Sequence, residues 1–173
     1  YKLILQESGL NLTSLGEVSG FDEVSVLNTS EDCLYLNVIV PKGGAKKKPV
    51  MFWIHGGAGR WGSGHEGNYT SSYLPNQGDV IVVTIQYRLG IFGWLAHPEL
   101  SEESIHGVSG NYGTLDQILA LEWVQNNISN FGGDPTNVTI FGESAGGQAV
   151  SSLLMSPLSE GLFHKAISQS GSA

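Results

Sequence analysis

Ser144 stands at the centre of Gly142-Glu143-Ser144-Ala145-Gly146, the G-x-S-x-G spacing of a serine held on a sharp turn between a strand and a helix. The chemistry open to such a serine is nucleophilic: its deprotonated hydroxyl attacks a carbonyl carbon and carries the acyl group covalently. The surroundings suit that turn, because Val138-Thr139-Ile140-Phe141 are β-formers and Gln148 to Met155 read as a helix. Gly142 and Gly146 must then lack side chains so that strand and helix can pass closely. The same spacing also arises by chance in a Gly-rich chain. The strand before it and the helix after it separate the two readings.

An activated serine needs a base, a group that orients the base, and donors for the oxyanion that forms on the substrate. The amide of Ala145 follows the serine at a helix N-terminus, where free N–H groups favour negative charge. The loop His55-Gly56-Gly57-Ala58-Gly59 can supply further donors, each worth roughly 2.7–4 kcal/mol in the transition state. The base is harder to find among His55, His65, His97, His106 and His164. In a strand–elbow–helix architecture the order is serine, acid, histidine, so only His164 follows in the required direction. His164 precedes a strand at the far side of the sheet, and Glu160 lies in the loop straight after the elbow helix, so both suit the roles poorly. The acid and the base are therefore expected beyond Ala173, and His55 is expected to organise the glycine turn through its ring hydrogen bonds. No metal or cofactor is expected, because the histidines and the lone Cys33 have no ligand spacing.

These groups need a scaffold. Leu34 to Val40 alternates as a half-buried strand closed by Pro41, Val50 to Ile54 reads as a strand buried on both faces, and Val80 to Ile85 is apolar enough for the centre of a sheet. Arg60 to Gly78 is a long irregular stretch, and Pro98 to Gly110 is a polar surface loop. Thr114-Leu115-Asp116-Gln117 matches a capping box that opens a helix running to about Ile128, with Gln117 reaching back to its start. Gly132 to Pro135 turns the chain into the elbow strand, and Ala166 to Gln169 forms a last short strand. Residues 1–31 are polar and weakly periodic. Strands that alternate with helices or long loops, with glycines clustered at their carboxyl ends, give an α/β fold with a mainly parallel sheet.

Composition excludes several classes. The 173 residues are 40% hydrophobic, enough for a domain with a sizeable core, and 24 are glycine, about twice the usual ~7%. Sixteen acidic against eight basic residues give a net charge of −8, which argues against nucleic acid or an anionic membrane as partner. Lys46-Lys47-Lys48 is the one basic run and reads as a solvated loop. No apolar run approaches the ~18 residues of a membrane span. Asn11, Asn28, Asn68, Asn127 and Asn137 each open an N-x-S/T sequon, which points to a secreted glycoprotein. Tyr1 in place of an initiator Met implies a chain that begins in mid-sequence, with any signal peptide outside it.

Seven motifs in order carry a resemblance: S-E-D-C-L-Y-L-N at 30–37, W-I-H-G-G-A at 53–58, Q-Y-R-L-G at 86–90, G-N-Y-G-T-L-D-Q at 110–117, N-F-G-G-D-P at 130–135, F-G-E-S-A-G-G at 141–147 and Q-S-G-S-A at 169–173. Over residues 30–173 the chain resembles the type-B carboxylesterase/lipase family, to which the cholinesterases belong; residues 1–29 match poorly. The resemblance implies an α/β-hydrolase fold and hydrolysis of carboxylic esters, small-molecule or lipid, through a serine acyl-enzyme. It makes Ser144 the nucleophile and the amides of Gly57, Ala58 and Ala145 the oxyanion hole, with Gly56 in support. It also implies an ion pair between Arg88 and Asp116 and a buried Glu143 that tunes the site. Cys33 matches a cysteine that the family pairs with one upstream, and no upstream cysteine exists here. Gln86, Trp94 and Glu160 depart from the usual Asn, Phe and basic residue.

Family members run to roughly three times this length, so the chain is read as an N-terminal-half piece of one hydrolase domain, incomplete at both ends. By itself it is expected to turn over little ester. The competing reading is a non-catalytic adhesion or binding module on the same fold, which Ser144 and the intact glycine loop oppose.

Overall fold

The computed structural model describes residues 2–4, 30–43 and 46–171. Asn11 and Asn28 lie outside them. The elements, in chain order, are β1 (Lys2–Ile4), β2 (Tyr35–Ile39), β3 (Lys48–Ile54), α1 (Tyr73–Gly78), β4 (Ile81–Ile85), α2 (Gly90–Trp94), α3 (Pro98–Glu103), α4 (Tyr112–Asn127), β5 (Gly133–Glu143), α5 (Ala145–Met155) and β6 (Lys165–Gln169). Short 3-10 turns cover Ile128–Phe131 and Pro157–Ser159.

Among the described residues six strands form one sheet in the order β1-β2-β4-β3-β5-β6. Only β2 against β4 is antiparallel; β1/β2, β3/β4, β3/β5 and β5/β6 are parallel, as the alternation of strands and helices implied. The most apolar run, β4, is buried at all five positions, and β3 lies beside it at the centre of the sheet. Both are β-branched or aromatic throughout their buried lengths, which suits strands covered on both faces.

One face of the sheet carries Leu36, Val38, Ile81, Val83, Ile85, Val50, Phe52, Ile54, Val138 and Ile140, all buried. Ile118, Leu121 and Val124 of α4 and Val150 and Leu153 of α5 pack on this face to make the main core. On the other face Trp53 meets Phe141 at 4.8 Å and Tyr69 at 4.9 Å between ring centroids.

Several expectations change. The strand at 34–40 is buried on both faces at its middle, because Asn37 is held by Thr84, His65 and the Gly64 carbonyl rather than by water. The irregular stretch at 60–78 ends in α1, closed by Asp79 in the left-handed region. The polar loop at 98–110 begins with α3, started by Pro98 at its first turn and by His97, whose ring accepts from the Glu99 amide. Lys48 is not free in solvent: it opens β3 and its Nζ pairs with Asp79. The capping box fails. Helix α4 starts three residues earlier, at Tyr112, which puts Thr114 inside the first turn, and among the described residues Gln117 is buried with neither amide atom partnered. Leu115 and Leu119 face outward, so α4 is apolar on two sides.

Candidate active site

Strand β5 delivers Ser144 at its carboxyl end, and α5 leaves from the next residue. The serine backbone has φ 56° and ψ −121°, a region that glycine enters freely and a side chain enters only under strain. Neighbours hold it there. Its amide donates to the Gln169 carbonyl of β6 (2.9 Å), and its carbonyl accepts from the Gln148 amide (3.0 Å) as the first bond of α5. A Cβ on Gly142 would meet the Gly146 carbonyl at 2.5 Å, and a Cβ on Gly146 would meet the Ile54 carbonyl oxygen at 2.0 Å. The close passage required of these two glycines is present.

The loop after β3 lies directly against the turn. A Cβ on Gly56 would come within 3.3 Å of the Ser144 Cβ and 2.8 Å of the Glu143 carbonyl oxygen. Gly57, Ala58 and Gly59 have successive φ values of 101°, 55° and 67°. Three left-handed residues in a row curl the loop back on itself, so the amides of Arg60 and Trp61 reach the Gly57 carbonyl at 2.9 and 3.2 Å. The Gly59 carbonyl is tied down by the Gly90 amide (2.7 Å) and by the Trp94 indole N–H (3.0 Å). Among the described residues no hydrogen bond takes up the amides of Gly57, Ala58 or Ala145. N–H groups left unbonded in this way are available to an acceptor.

His55, expected to organise this turn, does so. Its ring is buried, Nδ1 lies 2.8 Å from the Gly56 carbonyl oxygen, and the ring stacks on Tyr87 at 4.5 Å. Burial holds its pKa below the ordinary histidine value. The other histidines are engaged elsewhere: His65 with Asn37, His97 with the Glu99 amide, His164 with the Val138 amide at 3.2 Å. No histidine ring hydrogen-bonds Ser144.

Arg88 and Asp116 meet as a two-pronged ion pair. Nε donates to Oδ2 and an Nη to Oδ1, both at 2.8 Å, and the Arg88 amide adds a third bond at 3.0 Å. The pair joins the segment just after β4 to the second turn of α4, with the guanidinium 5.1 Å over the Tyr112 ring. The Asp116 carboxylate raises the Arg88 pKa further. Cys33 is a free thiol, partly buried, whose pKa burial raises.

Glu143 departs from expectation. It is exposed, because alternation along β5 turns it, with Phe141, toward the face that α4 and α5 do not cover. Its charge still reaches Tyr69, whose pKa rises through burial first, then through Glu66 and Glu143. A cleft of about 470 Å³ between Trp53, Phe141, Val82 and the Tyr69–Leu74 segment opens on this second face. Neither Ser144 nor the 56–59 loop lines it.

Tyr87, Trp94, Gln148 and Gln169 went unnoticed as supports of the site. Tyr87 and Gln169 stood inside the motifs at 86–90 and 169–173, and Trp94 stood out as an aromatic that can donate where the family has Phe. Gln86, the other departure beside it, spans Ser63 (2.6 Å) and the Gly64 amide (3.2 Å), and so fixes the loop that follows.

The family model of the carboxylesterase family matches residues 10–173. The chain belongs to the carboxylesterase family. It is 59% identical over 143 residues to the fumonisin B1 esterase of Sphingopyxis macrogoltabida, covering 82% of this chain and 26% of that protein. It is 55% identical over 144 residues to the para-nitrobenzyl esterase of Bacillus subtilis (strain 168), covering 83% and 29%. Rabbit (Oryctolagus cuniculus) liver carboxylesterase 1 is 55% identical over 149 residues, 85% of this chain and 25% of that one. A thermophilic pNB esterase structure superposes with TM-score 0.76 at 55% identity over 83% of this chain and 29% of that chain. The fold is that of an α/β-hydrolase. This carboxylesterase chain spans between a quarter and three-tenths of the length of these relatives. Among its described residues no helix is long and apolar enough to cross a membrane.

Proposed function

We propose that the protein carrying this chain hydrolyses carboxylic esters through an acyl-enzyme on Ser144. The observation that carries the reading is the strained backbone of Ser144 on a strand–helix turn against which Gly56 packs, with the amides of Gly57, Ala58 and Ala145 unbonded among the described residues. The Ser144 hydroxyl adds to the ester carbonyl, the carbonyl π electrons move onto oxygen, and the amides of Gly57, Ala58 and Ala145 stabilise that oxyanion. Collapse expels the alcohol, and water releases the acid by the same path in reverse. A base must take and return the serine proton; the rings of His55, His65, His97 and His164 are engaged elsewhere and none of the five histidines bonds Ser144 among the described residues, which supports placing that base, with its acid, outside residues 1–173.

The substrate class is a small-molecule or lipid ester. Esters are also what the names of the para-nitrobenzyl and fumonisin B1 relatives specify for those proteins. The protein is proposed to be a secreted glycoprotein; among the described sequons Asn68, on an exposed turn, is the best placed for a glycan.

The test is covalent labelling of the whole protein by an organophosphonate. One equivalent should be taken up, on Ser144, with loss of p-nitrophenyl ester turnover, and Ser144→Ala should abolish both. Full turnover by the Ser144→Ala variant would refute the reading.

A further inference from the structure

We propose that His55 is a positioning residue for the oxyanion hole: its ring, as the neutral Nδ1–H tautomer, holds the Gly56 carbonyl and thereby aims the Gly57 N–H. The inference rests on the reading of Ser144 as nucleophile and deepens it.

The geometry follows from one peptide plane. The carbonyl of Gly56 and the N–H of Gly57 belong to the same planar, trans peptide, so they point in opposite directions. Fixing the carbonyl toward the His55 ring fixes the N–H away from it. A Cβ built on Gly56, the residue that supplies this carbonyl, would come within 3.3 Å of the Ser144 Cβ. A hydrogen bond to the carbonyl also polarises the amide and strengthens its N–H as a donor.

The same arrangement recurs at the other two donors. The Gly57 carbonyl, on the peptide that carries the Ala58 N–H, accepts from Arg60 and Trp61. The Ser144 carbonyl, on the peptide that carries the Ala145 N–H, accepts from Gln148. Two of the three are held by backbone, and only the Gly57 donor depends on a side chain.

That side chain is itself over-determined. Tyr87 stacks on the ring and its hydroxyl donates to the His55 carbonyl at 2.7 Å, so one tyrosine holds both ring and backbone. Gly62, at φ 107°, leaves room for the ring; a Cβ there would come within 2.6 Å of Nδ1. The tautomer follows from burial. Among the described residues Nε2 is buried with no hydrogen-bond partner, so a proton on it would be unsatisfied there, whereas the Gly56 carbonyl can only accept and so requires the proton on Nδ1.

The test uses the whole protein. His55→Phe keeps a flat ring against Tyr87 and removes the donor; His55→Asn returns an amide N–H close to the place of Nδ1. His55→Phe should lower kcat on a p-nitrophenyl ester on the order of 10- to 100-fold, below the ~10²–10³ for deleting a donor, with KM changed less than about twofold. Affinity for a trifluoromethyl ketone, whose adduct with Ser144 carries an oxyanion, should fall by the same factor as kcat/KM. His55→Asn should recover most of both losses, and ring nitrogen NMR shifts of the parent should report Nδ1–H with bare Nε2 near neutral pH. Parental kcat in His55→Phe, equal impairment in both variants with lowered Tm, or the opposite tautomer would each overturn the proposal. A parent that takes up no phosphonate at Ser144 removes the underlying reading instead.

Discussion

A methyl group on Gly146 would come within 2.0 Å of the Ile54 carbonyl oxygen, so helix α5 and strand β3 touch backbone to backbone beside the nucleophile. Neither partner can yield by turning a side chain, because the obstruction is main chain. Gly146→Ala should therefore cost at least the ~1–3 kcal/mol typical of overpacking, and should displace Ser144 as well. The urea midpoint of the whole protein and its phosphonate labelling rate should fall together.

The Arg88–Asp116 pair is asymmetric in burial, with side-chain exposures of 37% and 3%. Removing the arginine side chain takes two charge-assisted bonds from a buried carboxylate, while removing the aspartate leaves a guanidinium that water can reach. Arg88→Gln should cost about 3 kcal/mol, and Asp116→Asn distinctly less. Denaturant unfolding of both variants measures the difference; equal losses would contradict it.

His55 gives stability a pH dependence of known sign. Burial lowers its folded pKa below the unfolded value near ~6.5, so the unfolded chain binds more protons as pH falls. Its contribution is fully present above about pH 6.5 and is lost as pH drops toward the folded pKa. His65, whose pKa burial also lowers, acts in the same sense. The urea midpoint should fall between about pH 7 and pH 5, and less steeply in His55→Phe.

Trp94 holds the Gly59 carbonyl with its indole N–H, and the Gly90 amide shares that acceptor. Trp94→Phe keeps the aromatic packing and leaves one bond of the two. A loss of about 1 kcal/mol in stability and a kcat reduced less than tenfold are expected, smaller than for His55→Phe. Thermal unfolding and ester kinetics on the whole protein check both.

Legibility in the sequence followed range. The elbow could be read because Gly142, Ser144 and Gly146 act within one turn and within five residues. The central strands could be read because unbroken apolar runs leave few alternatives. The supports of the oxyanion loop could not, since Tyr87, Trp94 and Gln169 reach the site from residues 30 or more positions away from their partners or from the far side of the elbow helix. Local rules also misled. The S/T-x-x-Q spacing at Thr114 looked like a helix start, yet the chain was already helical at Tyr112, and Gln117 turned into the core. Helix α3 was hidden by its charge, since a six-residue helix with no buried residue has no apolar stripe to reveal it. Glu143 was placed inside by resemblance, and strand alternation puts it outside.

The φ of 56° at Ser144 has a consequence for anyone selecting variants of this protein by heat. Glycine adopts that conformation without the strain a side chain incurs, roughly 1–3 kcal/mol for a backbone so placed. A thermostability screen with no activity readout should therefore enrich Ser144→Gly, a dead variant that outlasts its parent. Selection for durability and selection for turnover pull in opposite directions at this one residue.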